Sequence, residues 1–131
     1  MSRVPDAEVR VLVVDDQEPF RRAMTAVVEE TDGFVVVGSA TTGEESLTAA
    51  AALRPDLVLM DVNLPGIDGV AASRRLTSAE DGPVVVLLST YDAEDFDIAG
   101  SGAITYVAKA AFGPDRLSEC WRAAAGADEP T

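Results

Sequence analysis

Leu57-Val58-Leu59-Met60-Asp61-Val62-Asn63-Leu64-Pro65-Gly66-Ile67-Asp68-Gly69 decides how the rest of the chain is read. Its first four residues are apolar without polar alternation. A run of that length and character fits a strand covered on both faces, as in a parallel sheet. Asp61 closes the run. Pro65 and Gly66 shape a loop, and residues 69–76 then read as helix.

Outward from this stretch the same pairing recurs. Apolar, largely β-branched runs lie at 9–14, 34–37, 84–88 and 104–107. Helical spacing of apolar residues occupies 19–30, where Phe20, Ala23, Met24, Val27 and Val28 recur, and Pro19 suits the first turn because a missing amide costs nothing there. Residues 42–53 open on Thr42-Gly43-Glu44-Glu45, a capping-box pattern in which Glu45 is expected to reach back to the cap. A short, weak helical stretch falls at about 93–99. A stronger one covers 114–125, with Leu117, Cys120, Trp121 and Ala124 on one face. Strand and helix thus alternate five times. That order implies an α/β fold with a parallel sheet and helices on both faces. With right-handed crossovers, the doubly wound strand order 2-1-3-4-5 follows, in which the first and third strands are neighbours.

The expected organisation is an extension over 1–8, one domain over 9–125, and a tail or start of a linker over 126–131. A stand-alone domain is preferred over a longer regulator. Apolar residues form 47% of the 131, enough for a core. No apolar run is long enough to span a bilayer, and residues 1–10 do not read as a signal peptide, so the cytoplasm is the expected location. Cys120 is the only cysteine and is expected to be a buried small hydrophobe. Ten basic against 23 acidic residues give a formal charge of −13, which argues against direct nucleic-acid binding. The chain has no histidine, so a Ser-His-Asp triad, a histidine metal site and an internal phosphohistidine relay are excluded.

Function in such sheets gathers at the carboxyl ends of the strands, at the switch point between the first and third. Asp15 and Asp16 follow Val11-Leu12-Val13-Val14, and Asp61 follows Met60. A single acid after a strand is commonly a turn former. Three acids from two adjacent strand ends instead repel one another and call for a hard divalent cation, with magnesium the fitting choice. Ser89 ends the fourth run and Lys109 follows the fifth, so both project at that edge. A hydroxyl and an ammonium beside a metal-bound carboxylate make a site for a phosphoryl group.

Taken together, Val13-Val14-Asp15-Asp16, Met60-Asp61-Val62-Asn63-Leu64-Pro65-Gly66-Ile67-Asp68-Gly69, Leu88-Ser89-Thr90 and Tyr106-Val107-Ala108-Lys109 resemble the motifs of response regulator receiver domains. The wording is most similar to receivers that precede a LuxR-type DNA-binding domain. The resemblance covers about residues 9–124 and implies a flavodoxin-like receiver fold of two-component signalling. It implies Asp61 as phosphoacceptor, Asp16 as a direct magnesium ligand, Asp15 mainly through water, and the backbone carbonyl of Asn63 as a further ligand. The Asn63 side chain would influence how fast phosphate is lost. Ser89, not Thr90, would be the switch hydroxyl, Lys109 the partner of the phosphoryl oxygens, and Tyr106 the aromatic switch.

A sensor histidine kinase is the implied phosphodonor, with small acyl phosphates as substitutes. Output would pass to a downstream protein partner or an output domain, with homodimerisation on phosphorylation left open. No substrate turnover beyond self-catalysed phosphoryl transfer and loss is implied. Two departures stand out: Ala110 replaces a frequent proline, and the segment between Ser89 and Gly102 is short. The responding surface is expected around 93–111. Three other readings are weighed. A cofactor binder of flavodoxin type is opposed by the acidic first loop Asp15-Asp16-Gln17-Glu18, and a magnesium-dependent phosphohydrolase using Asp61 as nucleophile by the lack of sequence for a cap. A degenerate receiver that serves only for docking is opposed by the intact acids, hydroxyl and lysine but kept alive by the short fourth-helix segment.

Overall fold

The structure is a computed structural model that describes residues 8–90 and 98–128. Five parallel strands form one sheet: β1 (Val9–Val14), β2 (Phe34–Ala40), β3 (Leu57–Asp61), β4 (Val84–Ser89) and β5 (Thr105–Ala108). Their order is β2-β1-β3-β4-β5, as the alternation predicts. Helices α1 (Glu18–Glu29), α2 (Gly43–Leu53), α3 (Gly69–Ser78), α4 (Ile98–Ser101) and α5 (Pro114–Asp128) connect and cover them.

The central strands explain why their sequences show no polar alternation. Leu12, Val14, Val58, Met60, Val85 and Leu87 join Ala50, Val70, Ala72 and Leu76 in one core, on the α2–α3 face. Val11, Val13, Leu57, Leu59, Val86 and Leu88 join Met24, Val28, Leu117 and Cys120 on the α1–α5 face. Successive residues still point to opposite faces, but both faces are buried. Cys120 is buried, and burial pushes its thiol pKa up.

Several element ends differ from expectation. β2 continues through Gly38, Ser39 and Ala40 because β1 stays paired with it as far as Val14, across an irregularity between Val11 and Leu12. Along the chain, β5 starts one residue later than the sequence suggests, and Ile104 is left 39% exposed at its entrance. Of the helix expected at 93–99, positions 93–97 lie outside the described residues; the described helix covers Ile98–Ser101, two residues past the expected end. Gly100 lies within it. Gly102, at φ +80°, makes the turn that ends it. α5 runs on through Gly126 to Asp128, where the sequence reading stopped it at 125. The preceding alanines favour continuation, and one glycine costs a helix only about 1 kcal/mol.

At α2 the box is displaced by one residue. Thr42 caps the amide of Glu45 at 3.0 Å, but the Glu45 carboxylate accepts from the amide and hydroxyl of Thr41, at 2.7 and 2.8 Å. Those two bonds hold the Glu45 carboxyl below its ordinary pKa. At α1 Pro19 lies in the first turn, as expected. No described peptide bond is cis. Among the described residues, no helix is long and apolar enough to cross a membrane.

Candidate functional site

Register brings the acids together. Val14 pairs with Met60 across β1 and β3, so Asp15 and Asp61 are the next residues on neighbouring strands. Asp15 is fully buried, Asp61 is buried at the end of β3, and Asp16 is exposed at the mouth. One carboxylate oxygen from each of the three lies within 4.8 Å of the others. Asp61 also pairs with Leu88 on β4, and Ser89 with Ala108 on β5. Ser89 and Lys109 therefore reach the same edge from the next two strands. Ser89 is buried while Thr90, just beyond the strand, is exposed.

Lys109 is the cation of the cluster. Its Nζ lies 2.7 Å from Asp15 Oδ2 and 3.3 Å from Asp61 Oδ1, and its side chain is 9% exposed. Asp15 is held further: its Oδ1 accepts from the amide of Gln17 at 2.9 Å, and its carbonyl accepts from Arg21 at 3.0 Å. Burial, then the charge of Asp15, pushes the Asp61 pKa up from 3.8 to about 6; Lys109 and the backbone amide of Asn63 pull the other way. At neutral pH Asp61 is still mainly a carboxylate, and among the described residues Lys109 pairs with two of the three clustered carboxylates, Asp15 and Asp61, and not with Asp16. Uncompensated negative charge on hard oxygen donors fits a small divalent cation.

The loop after Asp61 is pinned at both ends. Gly69 donates to the Val62 carbonyl at 2.8 Å, and any side chain at Gly69 would run into the Asp61 carbonyl oxygen. Asp68 caps α3 by accepting from Ala71 at 2.8 Å. From the side, Glu44 at the start of α2 accepts from the Ile67 amide at 3.3 Å. Asn63 stays exposed on this loop, and Tyr106 is half-buried on β5, opposite Leu87.

The structure thus brings Asp15, Asp16, Asp61, Ser89 and Lys109 to one edge, with Asn63 on the adjoining loop. Sequence reasoning missed three contributions. Gly69 enters the sequence reading as a helix start and as the end of a quoted motif, but not for the close approach of its backbone to the Asp61 carbonyl. The Asn63 amide, which faces Asp61, and the ring of Phe20, whose centroid lies 3.8 Å from Lys109 Nζ, carry no site signal in the sequence, because both act through tertiary contact.

Fold and site define a class: doubly wound parallel α/β domains with acids at the switch point between the first and third strands. A family model described as the response regulator receiver domain matches residues 11–121, and the chain belongs to that family of two-component signalling. It is 42% identical over 105 residues to the response regulator GacA of Pseudomonas viridiflava, covering 79% of this chain and 49% of that protein. It is 39% identical to a protein-glutamate methylesterase/protein-glutamine glutaminase of Alkalilimnicola ehrlichii, covering 78% of this chain and 27% of that one. The chain therefore spans half or less of the length of these relatives. Among solved structures, the signal receiver domain of the NarL response regulator of Mycobacterium tuberculosis superposes with a TM-score of 0.79 at 28% identity, covering 88% of this chain and 97% of that one.

Proposed function

We propose that this chain is a phosphorylation-controlled signalling module in which Asp61 accepts a phosphoryl group from a sensor histidine kinase. The observation that carries this reading is the setting of Asp61: a buried strand-end carboxylate in contact with Lys109 and within 4.8 Å of two further acids. An Asp61 oxygen attacks phosphorus, and an O–P bond forms. The P–N bond of the donor phosphohistidine breaks, and the leaving imidazole keeps the electron pair and takes up a proton. Lys109 turns from Asp15 towards the phosphoryl oxygens and neutralises part of their charge.

Asp16, Asp61 and the Asn63 carbonyl would hold a magnesium ion, with Asp15 mainly through water. When bound, the ion balances the charge of the incoming phosphoryl oxygens. The Ser89 hydroxyl donates to the phosphoryl group, and Tyr106 follows it, shifting a two-state surface over 98–111, the described part of the expected 93–111 stretch. The module turns over no substrate of its own. Its output is contact with a downstream protein partner or an output domain in the cytoplasm; the net charge of −13 disfavours direct contact with nucleic acid.

The test is acetyl phosphate with magnesium, read by intact mass and peptide mapping. One hydroxylamine-labile phosphoryl group on Asp61 is expected, and none in Asp61→Asn. A label retained in that variant, or mapped to Ser89, refutes the proposal.

A further inference from the structure

The ammonium of Lys109 has a third neighbour besides its two carboxylates. Its Nζ lies 3.8 Å from the centroid of the Phe20 ring, inside the range where a cation is drawn to an aromatic face. Lys109 itself lines a cavity of about 50 Å³, together with Phe20, Met24, Val27, Leu88 and Phe112. Phe20 stands in the first turn of α1. That turn is tied to the site itself, through Gln17 to the Asp15 carboxylate and Arg21 to the Asp15 carbonyl. The ring is therefore placed against the lysine by the same residue that pairs with it.

We propose that Phe20 is a positioning residue for phosphoryl transfer, its ring face holding the Lys109 ammonium at the acceptor edge; this rests on Asp61 being the phosphoacceptor. The physical need is specific. Lys109 must leave Asp15 for new oxygens on Asp61 without being rehydrated on the way. A carboxylate or hydroxyl on its third side would compete with those oxygens. An alkyl group would offer a buried ammonium no compensation. An aromatic face attracts the cation yet accepts no directed hydrogen bond as strong as a carboxylate's, so the ammonium can turn towards the phosphoryl group while remaining covered.

The experiment measures single-turnover labelling by acetyl phosphate with saturating magnesium, a donor that requires no docking partner. Position 20 carries phenylalanine, its mono-, di- and trifluorinated analogues, tyrosine, tryptophan or leucine. Phe20→Leu should label about threefold to thirtyfold more slowly, the range expected for losing a partly buried cation–ring contact. Rates should fall stepwise with fluorination, which drains the ring face while barely changing its shape. Tyrosine and tryptophan should preserve the rate. In a Lys109→Ala background the series should be flat. A flat fluorination series in the presence of Lys109, or Phe20→Leu labelling at the wild-type rate, overturns the proposal. If wild type itself takes no label on Asp61, the phosphoacceptor reading fails, and this inference fails with it.

Discussion

Replacing Asp61 by asparagine should stabilise the metal-free protein at neutral pH. Burial and the neighbouring Asp15 raise the Asp61 carboxyl from 3.8 to about 6, so its ionised form is a cost of the fold. The folded chain holds a proton that the unfolded chain has released between those two values. The stability linked to Asp61 is therefore fully present below the unfolded pKa, falls as pH rises through about 6, and stays lost above it. The size of the rise corresponds to about 3 kcal/mol, an upper figure because relaxation around the site reduces it. Asparagine mimics the neutral acid in shape, and the raised pKa already includes the attraction of Lys109 that the variant forgoes. Urea denaturation in the presence of a chelator measures this directly. Asp61→Asn should exceed wild type by about 2–3 kcal/mol at neutral pH, and the gap should narrow steadily towards about pH 4.5. Magnesium should close the gap from the other side, by stabilising wild type alone. Equal stabilities at neutral pH, or a gap that does not change with pH, would refute the electrostatic account of this site.

Asp16→Ala should remove most magnesium binding, read by titration calorimetry, while leaving the fold intact because the side chain is exposed; unchanged affinity would reject its role as a ligand. Lys109→Ala should keep its far-ultraviolet circular dichroism yet label Asp61 far more slowly, and its Asp61 carboxyl should titrate higher still, since Lys109 lowers that pKa. Gly69→Ala should destabilise by about 1–3 kcal/mol in urea, because its methyl group meets the Asp61 carbonyl oxygen across a pinned loop; a cost below about 0.5 kcal/mol would show that the loop yields.

Much of this protein is legible from sequence because burial on both faces leaves a local mark. Residues 11–14, 57–60 and 85–88 can be uniformly apolar only if each face of the strand meets a helix layer, and the alternation of such runs with helical spacing leaves one economical topology. The acids were legible for the same reason: at the end of a buried strand, a carboxylate has no role in packing. Element ends were less legible. The capping pattern of Thr42 gave the start of α2 correctly but not the partner of Glu45, which lies one residue upstream because loop geometry decides which amide is in reach. The fourth helix was the least determined, since its sequence carries neither a strong apolar period nor a cap.

What only the tertiary structure decided is how the charges share the site. Sequence places Lys109 at the edge, but not its division between Asp15 and Asp61, 94 and 48 positions away, nor the ring of Phe20 against it. It places Asp61 after a strand, but not the burial that raises its pKa. Local pattern reports which face of an element is apolar, because that depends on near neighbours in the chain. Distances of 2.7, 3.3 and 3.8 Å between groups at the ends of β1, β3 and β5 and on α1 depend on strand register and helix docking, and these are set only when the whole sheet closes on its two cores.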